Sequence, residues 1–318
     1  MVILVTGGAG FIGRWVVKKL LSMEKEVVVI DNLSNGSEEN LKEFKNNTLL
    51  KEFLVDDIRN QDVINNLFDK YKFNKCFHLA AQINVHESLN YPERAFENNV
   101  IGTYNILEAA RKIKTKVVII GTCMVYDLAD AKIAISEKHA IKPTSPYSGS
   151  KVASEELAIS YFYGFSLPVI ILRPFNTYGP FQKTNMEGGV VSIFVSRKLK
   201  NENLKIFGDG TQTRDFLYVE DCADFIVMAS DSENCVGQII NAGTGKDISI
   251  NNLARLIIGD ETRIEHIKHH HPQSEIMKLR CDSSKARTFL NWEAQTPLEE
   301  GIAKLEEWIK ENELRNNG

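Results

Sequence analysis

Through the first half of the chain, short unbroken apolar runs alternate with longer stretches in which apolar residues recur every three or four positions. The runs at 2–6, 26–30, 52–55, 75–79, 116–121 and 168–173 predict strands. The stretches near 11–22, 60–70, 93–112 and 147–163 predict helices. A strand apolar at successive positions has both faces buried, as in a parallel sheet covered by helices. Regular alternation with right-handed crossovers then gives an α/β fold with a doubly wound parallel (Rossmann) sheet. After Pro174 the rhythm loosens, and Gly, Asn and charged residues become common. The boundary is therefore predicted near 175, with a sheet domain over 1–175 and a smaller C-terminal lobe over 176–318. One strand-like stretch, 236–241, is a candidate to return to the main sheet.

Composition narrows the class. Of 318 residues, 43% are apolar and 25% charged, which is ordinary for a globular protein and excludes a disordered or fibrous one. A net charge of −4 leaves no basic surface, so no nucleic-acid partner is expected. The five cysteines are scattered, odd in number and without a CxxC pair, which argues against zinc or a disulfide framework. His269-His270-His271 reads as a polar loop rather than a metal cluster, and no metal is expected. No run of eighteen apolar residues predicts a membrane span. The first strand begins at Val2, which leaves no room for a signal peptide, so the chain reads as cytoplasmic.

The first strand and first helix are joined by Gly7-Gly8-Ala9-Gly10-Phe11-Ile12-Gly13, a GxxGxxG spacing. Glycines there allow a tight bend and close backbone approach to a pyrophosphate, and the helix presents free N–H groups to the anion. A glycine triplet alone also fits an ordinary turn; the flanking strand and helix select the dinucleotide reading. The second strand ends in Asp31, followed by Asn32 and Asn35. A carboxylate there accepts hydrogen bonds from both adenosine ribose hydroxyls and repels a 2′-phosphate, which favours NAD over NADP. Asp57 and Ile58, just past the third strand, are positioned to bound the adenine pocket.

Tyr147 and Lys151 stand four apart, on one face of a predicted helix. A nearby ammonium favours the phenolate and lowers the tyrosine from about 10 toward working pH. Tyr147 could then take the proton from a substrate hydroxyl. Thr122 closes the fifth strand, at the carboxyl end where ligands of such sheets bind, and its hydroxyl could share that proton.

Together, Gly7–Gly13, Asp31, His78-Leu79-Ala80-Ala81, Thr122 through Tyr126, Tyr147–Lys151, Arg173-Pro174-Phe175-Asn176 and Gln212-Thr213-Arg214-Asp215-Phe216 resemble the nucleotide-sugar epimerase/dehydratase family of extended short-chain dehydrogenases. The likeness runs from Val2 to roughly Ile309. It implies an NAD-binding first domain and a nucleotide-sugar-binding lobe, with a nucleoside-diphosphate sugar, above all a UDP-sugar, as substrate. It implies Tyr147 as base, Lys151 as its partner and ribose ligand, and Thr122 as third catalytic hydroxyl. Leu79, Ala80, Ala81, Gln82 and Asn99 would lie near the cofactor, and Asn176 against substrate phosphate or sugar. Arg214 and Arg280 would clamp the diphosphate, a task suited to a planar, always-charged fork. A homodimer is also expected, through the helices near 93–112 and 147–163, where Ala153, Leu157 and Tyr161 repeat at helical spacing.

Members of this family oxidise the sugar at C4, and their outcomes then diverge. A 4-epimerase needs only a pocket in which the ketone turns over. A 4,6-dehydratase must also remove the C5 proton and expel water from C6, and well-known ones carry Asp and Glu directly after the threonine. This chain has Cys123 and Met124. Met124 cannot transfer a proton, whereas Cys123 can, with an ordinary thiol value of about 8.5 that a polar pocket could lower. A Thr–Cys pair resembles dehydratases of UDP-N-acetylglucosamine, so the expected activity is a 4,6-dehydratase, with a 4-epimerase as the alternative. Sugar decarboxylases and reductases share the same beginning. Glu87 is a candidate carboxylate, although 4-epimerases carry one there too. Where many relatives read Arg-Pro-Gly-Glu, this chain has His271-Pro272-Gln273-Ser274-Glu275, so Arg280 must carry more of the diphosphate load. A non-catalytic nucleotide sensor on the same fold would have no reason to keep Thr122, Tyr147 and Lys151.

Overall fold

The computed structural model describes residues 1–129, 133–184, 189–268 and 276–316. The histidine run 269–271 and the segment 271–275 lie outside the described residues. From the amino end come β1 (Val2–Thr6), α1 (Phe11–Ser22), β2 (Glu26–Asp31), β3 (Leu50–Val55), α2 (Gln61–Tyr71) and β4 (Lys75–His78). Then follow α3 (Val85–Asn90), α4 (Pro92–Ala95), α5 (Gly102–Ile113), β5 (Lys116–Ile120), α6 (Pro146–Phe165) and β6 (Val169–Pro174). β7 (Asn176–Tyr178), α7 (Val190–Leu199), β8 (Leu204–Phe207), β9 (Thr213–Arg214), β10 (Phe216–Tyr218) and α8 (Val219–Asp231) come next. The chain ends with β11 (Ile239–Ala242), β12 (Ile248–Ser249), α9 (Ile250–Ile258), β13 (Ile264–Ile267), β14 (Lys278–Leu279), α10 (Ser284–Leu290) and α11 (Leu298–Asn316).

Seven strands form one parallel sheet in the order β11-β6-β5-β4-β1-β2-β3. Successive residues of each central strand enter opposite cores, which is why those strands read as unbroken apolar runs. Val5, Val29, Phe77, Val118 and Leu172 pack with Val16, Leu20, Phe225 and Ile226 of α1 and α8. Leu4, Val28, Ile30, Ile119 and Ile171 pack with Ile64, Phe68, Ile106 and Ala158 of α2, α5 and α6. Each such side chain, fully buried, contributes about 1.5–3 kcal/mol. β3 is one of the two edge strands and is only half buried, which accounts for Lys51 and Glu52 within it.

The predicted helix over 93–112 is not continuous. Pro92 starts the short α4, residues Phe96–Ile101 form a π-helical turn, and α5 begins at Gly102. The carbonyl of Asn99, inside that turn, accepts the hydroxyls of Thr103 and Ser154. A local widening that frees a carbonyl for side chains is the usual use of such a turn. α3, capped by the Asn84 side chain, also lies in a stretch that reads as loop. In α6 the predicted apolar stripe divides: Ala153 is exposed, Leu157 half-buried, and Tyr161 turns inward to donate to Glu108 at 2.6 Å. Among the described residues, no helix is long and apolar enough to cross a membrane.

Past Pro174 the chain divides its contribution. α8 packs on α1, and β11 extends the main sheet beside β6. The remainder forms small sheets, β7·β10, β12·β9·β14 and β13·β8, around a core that includes Phe194, Leu204, Leu253 and Leu305. Asp215 ties these pieces together. Its Oδ1 accepts the Thr244 amide at 2.8 Å and hydroxyl at 2.7 Å, and Oδ2 accepts the amides of Gly245 at 2.8 Å and Cys281 at 3.1 Å. The carboxylate is fully buried. Asp215→Ala leaves the buried Cys281 amide without its acceptor and frees the part-buried donors of Thr244 and Gly245, and should cost about 1–3 kcal/mol. Calorimetry should show a clear fall in Tm; an unchanged Tm would mean the Asp215 bonds do not hold the lobe.

Candidate active site

The carboxyl ends of β1, β2, β4 and β5 open on one cleft. At its floor, Gly7 has φ +68°, and a Cβ there would lie 2.6 Å from the Ala80 amide nitrogen. A Cβ on Gly13 would lie 2.1 Å from the Gly7 carbonyl oxygen. α1 has Gly10 as its N-cap and no side chain capping it, so its first N–H groups are left to the cleft. Asp31 is buried at the end of β2, where Oδ2 accepts the Ala9 amide at 3.0 Å and Oδ1 the Leu33 amide at 2.9 Å. Burial pushes its carboxyl up, against the backbone amides that hold it down. Glycines that leave no side-chain volume, a bare helix end and a strand-end acid make a cradle suited to a dinucleotide.

Gly7, Gly10, Phe11, Ile12, Gly13, Asp31, Asn32, Asn35, Ile58, Leu79, Ala80 and Ala81 line this end of the cleft. Asp57 stands behind Asn32, accepting from its Nδ2 at 2.8 Å and from Arg59, while the neighbouring Asp56 is on the wall. Gln82 and Asn99 are likewise one layer back. The Asn99 Oδ1 accepts the Gln82 amide at 2.8 Å, and its Nδ2 donates to the Gln82 carbonyl at 3.0 Å and to Ser150 at 2.8 Å. Asn99 thus couples the loop after β4 to the helix that carries Tyr147, and Asn98 is the residue on the wall.

Thr122, Cys123, Tyr147 and Lys151 meet at the other end of the cleft. β5 carries Thr122 in extended conformation, and its hydroxyl caps the following turn by accepting the Met124 amide at 3.2 Å. α6 starts on a reciprocal Ser145–Ser148 capping box with Pro146 at its first position, so Tyr147 sits in a rigid first turn. The Tyr147 amide donates to Ser88 of α3 at 3.1 Å. Lys151 donates through Nζ to the Ile120 carbonyl at 2.5 Å. Burial pulls Lys151 down to about 8, with Glu155 opposing.

Two expectations about this end are corrected. Tyr147 is pushed up to about 12, not lowered, because burial outweighs the hydrogen bond with Thr122. Cys123 is also pushed up to about 12 rather than lowered. It belongs to an apolar cluster with Val125, Tyr126, Phe175, Leu279 and Cys281, and burial outweighs the nearby charge of Arg214.

Glu87 is drawn away from the cleft wall. It pairs with Arg94 at 2.6 Å and accepts Gln82 Nε2 at 3.3 Å, and the arginine holds its carboxyl below the usual range. Asn176 is on the wall, and its Oδ1 is buried without a hydrogen-bond partner among the described residues. Arg214 and Arg280 stand outside the wall. Arg214 Nη1 donates to the carbonyls of Thr213 at 2.8 Å and Ile276 at 2.7 Å, and Arg280 follows β14. The sequence reading passed over Ser34, Gly36, Ile83, Thr177 and Gln182, which also line the cleft. Gly36 had a signal, since it closes the turn after Asp31 where a Cβ would lie 2.8 Å from the Ala9 carbonyl oxygen. Gln182 had none: it lies in irregular chain and is fixed by Ser192 at 2.6 Å and the Thr177 carbonyl at 3.2 Å.

Comparison with known proteins adds an independent line. The family model described as GDP-mannose 4,6 dehydratase matches residues 4–305. A putative UDP-glucose 4-epimerase of Methanocaldococcus jannaschii is 39% identical over 98% of this chain and 99% of its own. The crystal structure of Pal from Bacillus thuringiensis is 55% identical with a TM-score of 0.96, covering 98% of this chain and 100% of that one. The UDP-glucuronic acid 4-epimerase of Bacillus cereus, solved with UDP-glucuronic acid and NAD, is 32% identical with a TM-score of 0.88 over 98% of this chain and 100% of that one. With the glycine cradle and the Thr122, Tyr147 and Lys151 cluster in one cleft, these matches assign the chain to the GDP-mannose 4,6 dehydratase family, the extended short-chain dehydrogenase/reductase enzymes that include nucleotide-sugar epimerases, dehydratases and decarboxylases.

Proposed function

We propose that this enzyme binds NAD and acts at C4 of a UDP-sugar, through a 4-keto sugar, as a 4-epimerase. The observation that carries this reading is the joining of a dinucleotide cradle and the Thr122, Tyr147 and Lys151 cluster in a single cleft. The names of relatives that are UDP-glucose and UDP-glucuronate 4-epimerases support the UDP-sugar. Gly7, Gly10 and Gly13 would hold the pyrophosphate of NAD, Asp31 the adenosine ribose, and Ile58 and Leu79 to Ala81 the walls around it. NAD, when bound, would supply a reversible hydride acceptor for the sugar carbon. Tyr147 accepts the proton of the C4 hydroxyl and returns it, and Thr122 orients that oxygen through its own hydroxyl. Lys151, mostly charged below about pH 8, supplies the cation that lets a buried tyrosine ionise. Asn176, Arg214 and Arg280 would take the diphosphate.

Dehydration asks for more than this: a base for the C5 proton and an acid for the C6 oxygen. Beside Thr122 the wall offers Cys123 and Met124. Near neutral pH the Cys123 thiol keeps its proton and is no base, and the Glu87 carboxylate is committed to Arg94. Epimerisation needs neither group, so the geometry favours it. A 4,6-dehydratase is the second reading, supported by the Cys123 sulfur on the wall, where a held proton is available for donation.

Incubation with UDP-glucose, UDP-N-acetylglucosamine and their C4 epimers in D2O, followed by NMR, separates the two. Epimerisation should shift the C4 proton with no solvent deuterium in the product, and Cys123→Ala should turn over at nearly the wild-type rate. Deuterium at C5 or a new C6 methyl signal, with a Cys123→Ala loss of about 10²–10⁴-fold, would establish the dehydratase instead. Arg214→Ala and Arg280→Ala should raise KM far more than they lower kcat, because a diphosphate is bound alike in ground and transition states. Loss of a charge-assisted contact of this kind is expected to cost roughly 2–5 kcal/mol. A variant with unchanged KM would exclude that arginine from the clamp.

A further inference from the structure

Directly behind the catalytic end of β5 lies an ion pair whose own side chains do not line the cleft. Lys151 and Glu155 are four apart on α6 and so share a face. Glu155 and Arg173 of β6 are each 1% exposed. Arg173 donates to Oε2 of Glu155 from Nη2 at 2.6 Å and from Nε at 3.1 Å. A Cβ on Gly121 would lie 2.1 Å from Glu155 Oε1 and 3.1 Å from Arg173 Cγ, so the pair fills the space under the residue that joins β5 to Thr122. One residue earlier, the Ile120 carbonyl holds the Lys151 ammonium. Packing alone gives little reason for such a pair, since apolar residues of similar volume are often as stable or more so.

We propose that Glu155 is a positioning residue for the reaction: its buried carboxylate keeps the Lys151 ammonium charged and seated on the Ile120 carbonyl, and Arg173 holds the carboxylate in place. This rests on the proposed role of Lys151 in the reaction. The groups facing the pair are Lys151, Tyr147 and Glu156 on α6, Arg173 on β6, Tyr126 beneath the Arg173 guanidinium at 4.9 Å, and His78 on β4 toward Lys151. His78 is held neutral by burial and by the Lys151 charge, down to about 3, and Tyr147 and Tyr126 are pushed up to about 12 by burial. Glu156 is exposed to water. Burial pushes the Glu155 carboxyl up, and the Arg173 guanidinium bonded to it and the Lys151 charge pull it down; paired in this way, Glu155 is the buried anion that opposes the desolvation of Lys151. The sign follows from that opposition. Burial already lowers Lys151, so removing the carboxylate lowers it further, and the lysine gives up its proton at lower pH.

The test reads the lysine itself. The ligand-free chain, labelled with 13C-lysine, is titrated by NMR, with the Lys151 signal identified by its loss in Lys151→Met. In Glu155→Gln the Lys151 midpoint should fall by about one pH unit or more, with Glu155→Asp close to wild type. Glu155→Gln leaves Arg173 buried and unpaired, so the double variant Glu155→Gln/Arg173→Met carries the test if the single one does not fold; its midpoint should also fall. With substrate, the alkaline limb of kcat should move to lower pH by the same amount while KM changes little. A folded double variant whose Lys151 titrates within about 0.3 unit of wild type overturns the proposal. The midpoint is measured with no sugar present, so that result leaves the reading of the reaction itself untouched.

Discussion

Backbone-to-backbone contact at the carboxyl edge of the sheet is the constraint on which the rest of the molecule depends. Gly7 at the end of β1 lies against the Ala80 amide beyond β4, and Gly13 at the start of α1 lies against the Gly7 carbonyl. A single added methyl at either position would overlap main chain, which cannot swing aside as a flexible side chain does. That closeness brings α1 down onto the sheet with its bare N-terminus toward the cleft. It also aligns the ends of β4 and β5, so that Ala80 and Thr122 line the same wall. The hydrogen-bonded chain Thr6–His78–Thr103–Asn99–Ser150 then carries the alignment from β1 through β4 and α5 to α6.

Electrostatics at the site is governed by burial more than by contact. Tyr147, Lys151 and Cys123 are all shifted toward their neutral forms by loss of water. A tyrosine raised by its surroundings is a poor base until a cation offsets the desolvation, which is the role proposed for Lys151. The thiol has no comparable partner. Arg214 lowers it and Asp215 raises it, and burial dominates both. The residue that most distinguishes this sequence beside Thr122 is thereby kept in the form that donates protons.

Features set by short-range rules were legible in the sequence. Unbroken apolar runs mark strands buried on both faces, and β1, β2, β4, β5 and β6 lie within a residue or two of where those runs predict them. The glycine spacing and the Tyr147–Lys151 spacing are local too, and both reach the cleft. What stayed hidden depends on distant partners. Nothing near Cys123 signals the apolar cluster formed with Ile276, Leu279 and Cys281. The break at Phe96–Ile101 likewise serves a hydroxyl, that of Ser154, more than fifty positions away. Gln182 reaches the cleft from a segment with no periodicity at all.

Chemistry confined to C4 is the central claim, and an isotope at that carbon tests it most directly. UDP-sugars bearing deuterium at C4 are incubated with the enzyme in ordinary water, and the product is examined by NMR and mass spectrometry. Epimerisation should give an inverted C4 that still carries the deuterium, because the hydrogen would return to the carbon it left. Deuterium lost to solvent, or found on another carbon of the product, would contradict it.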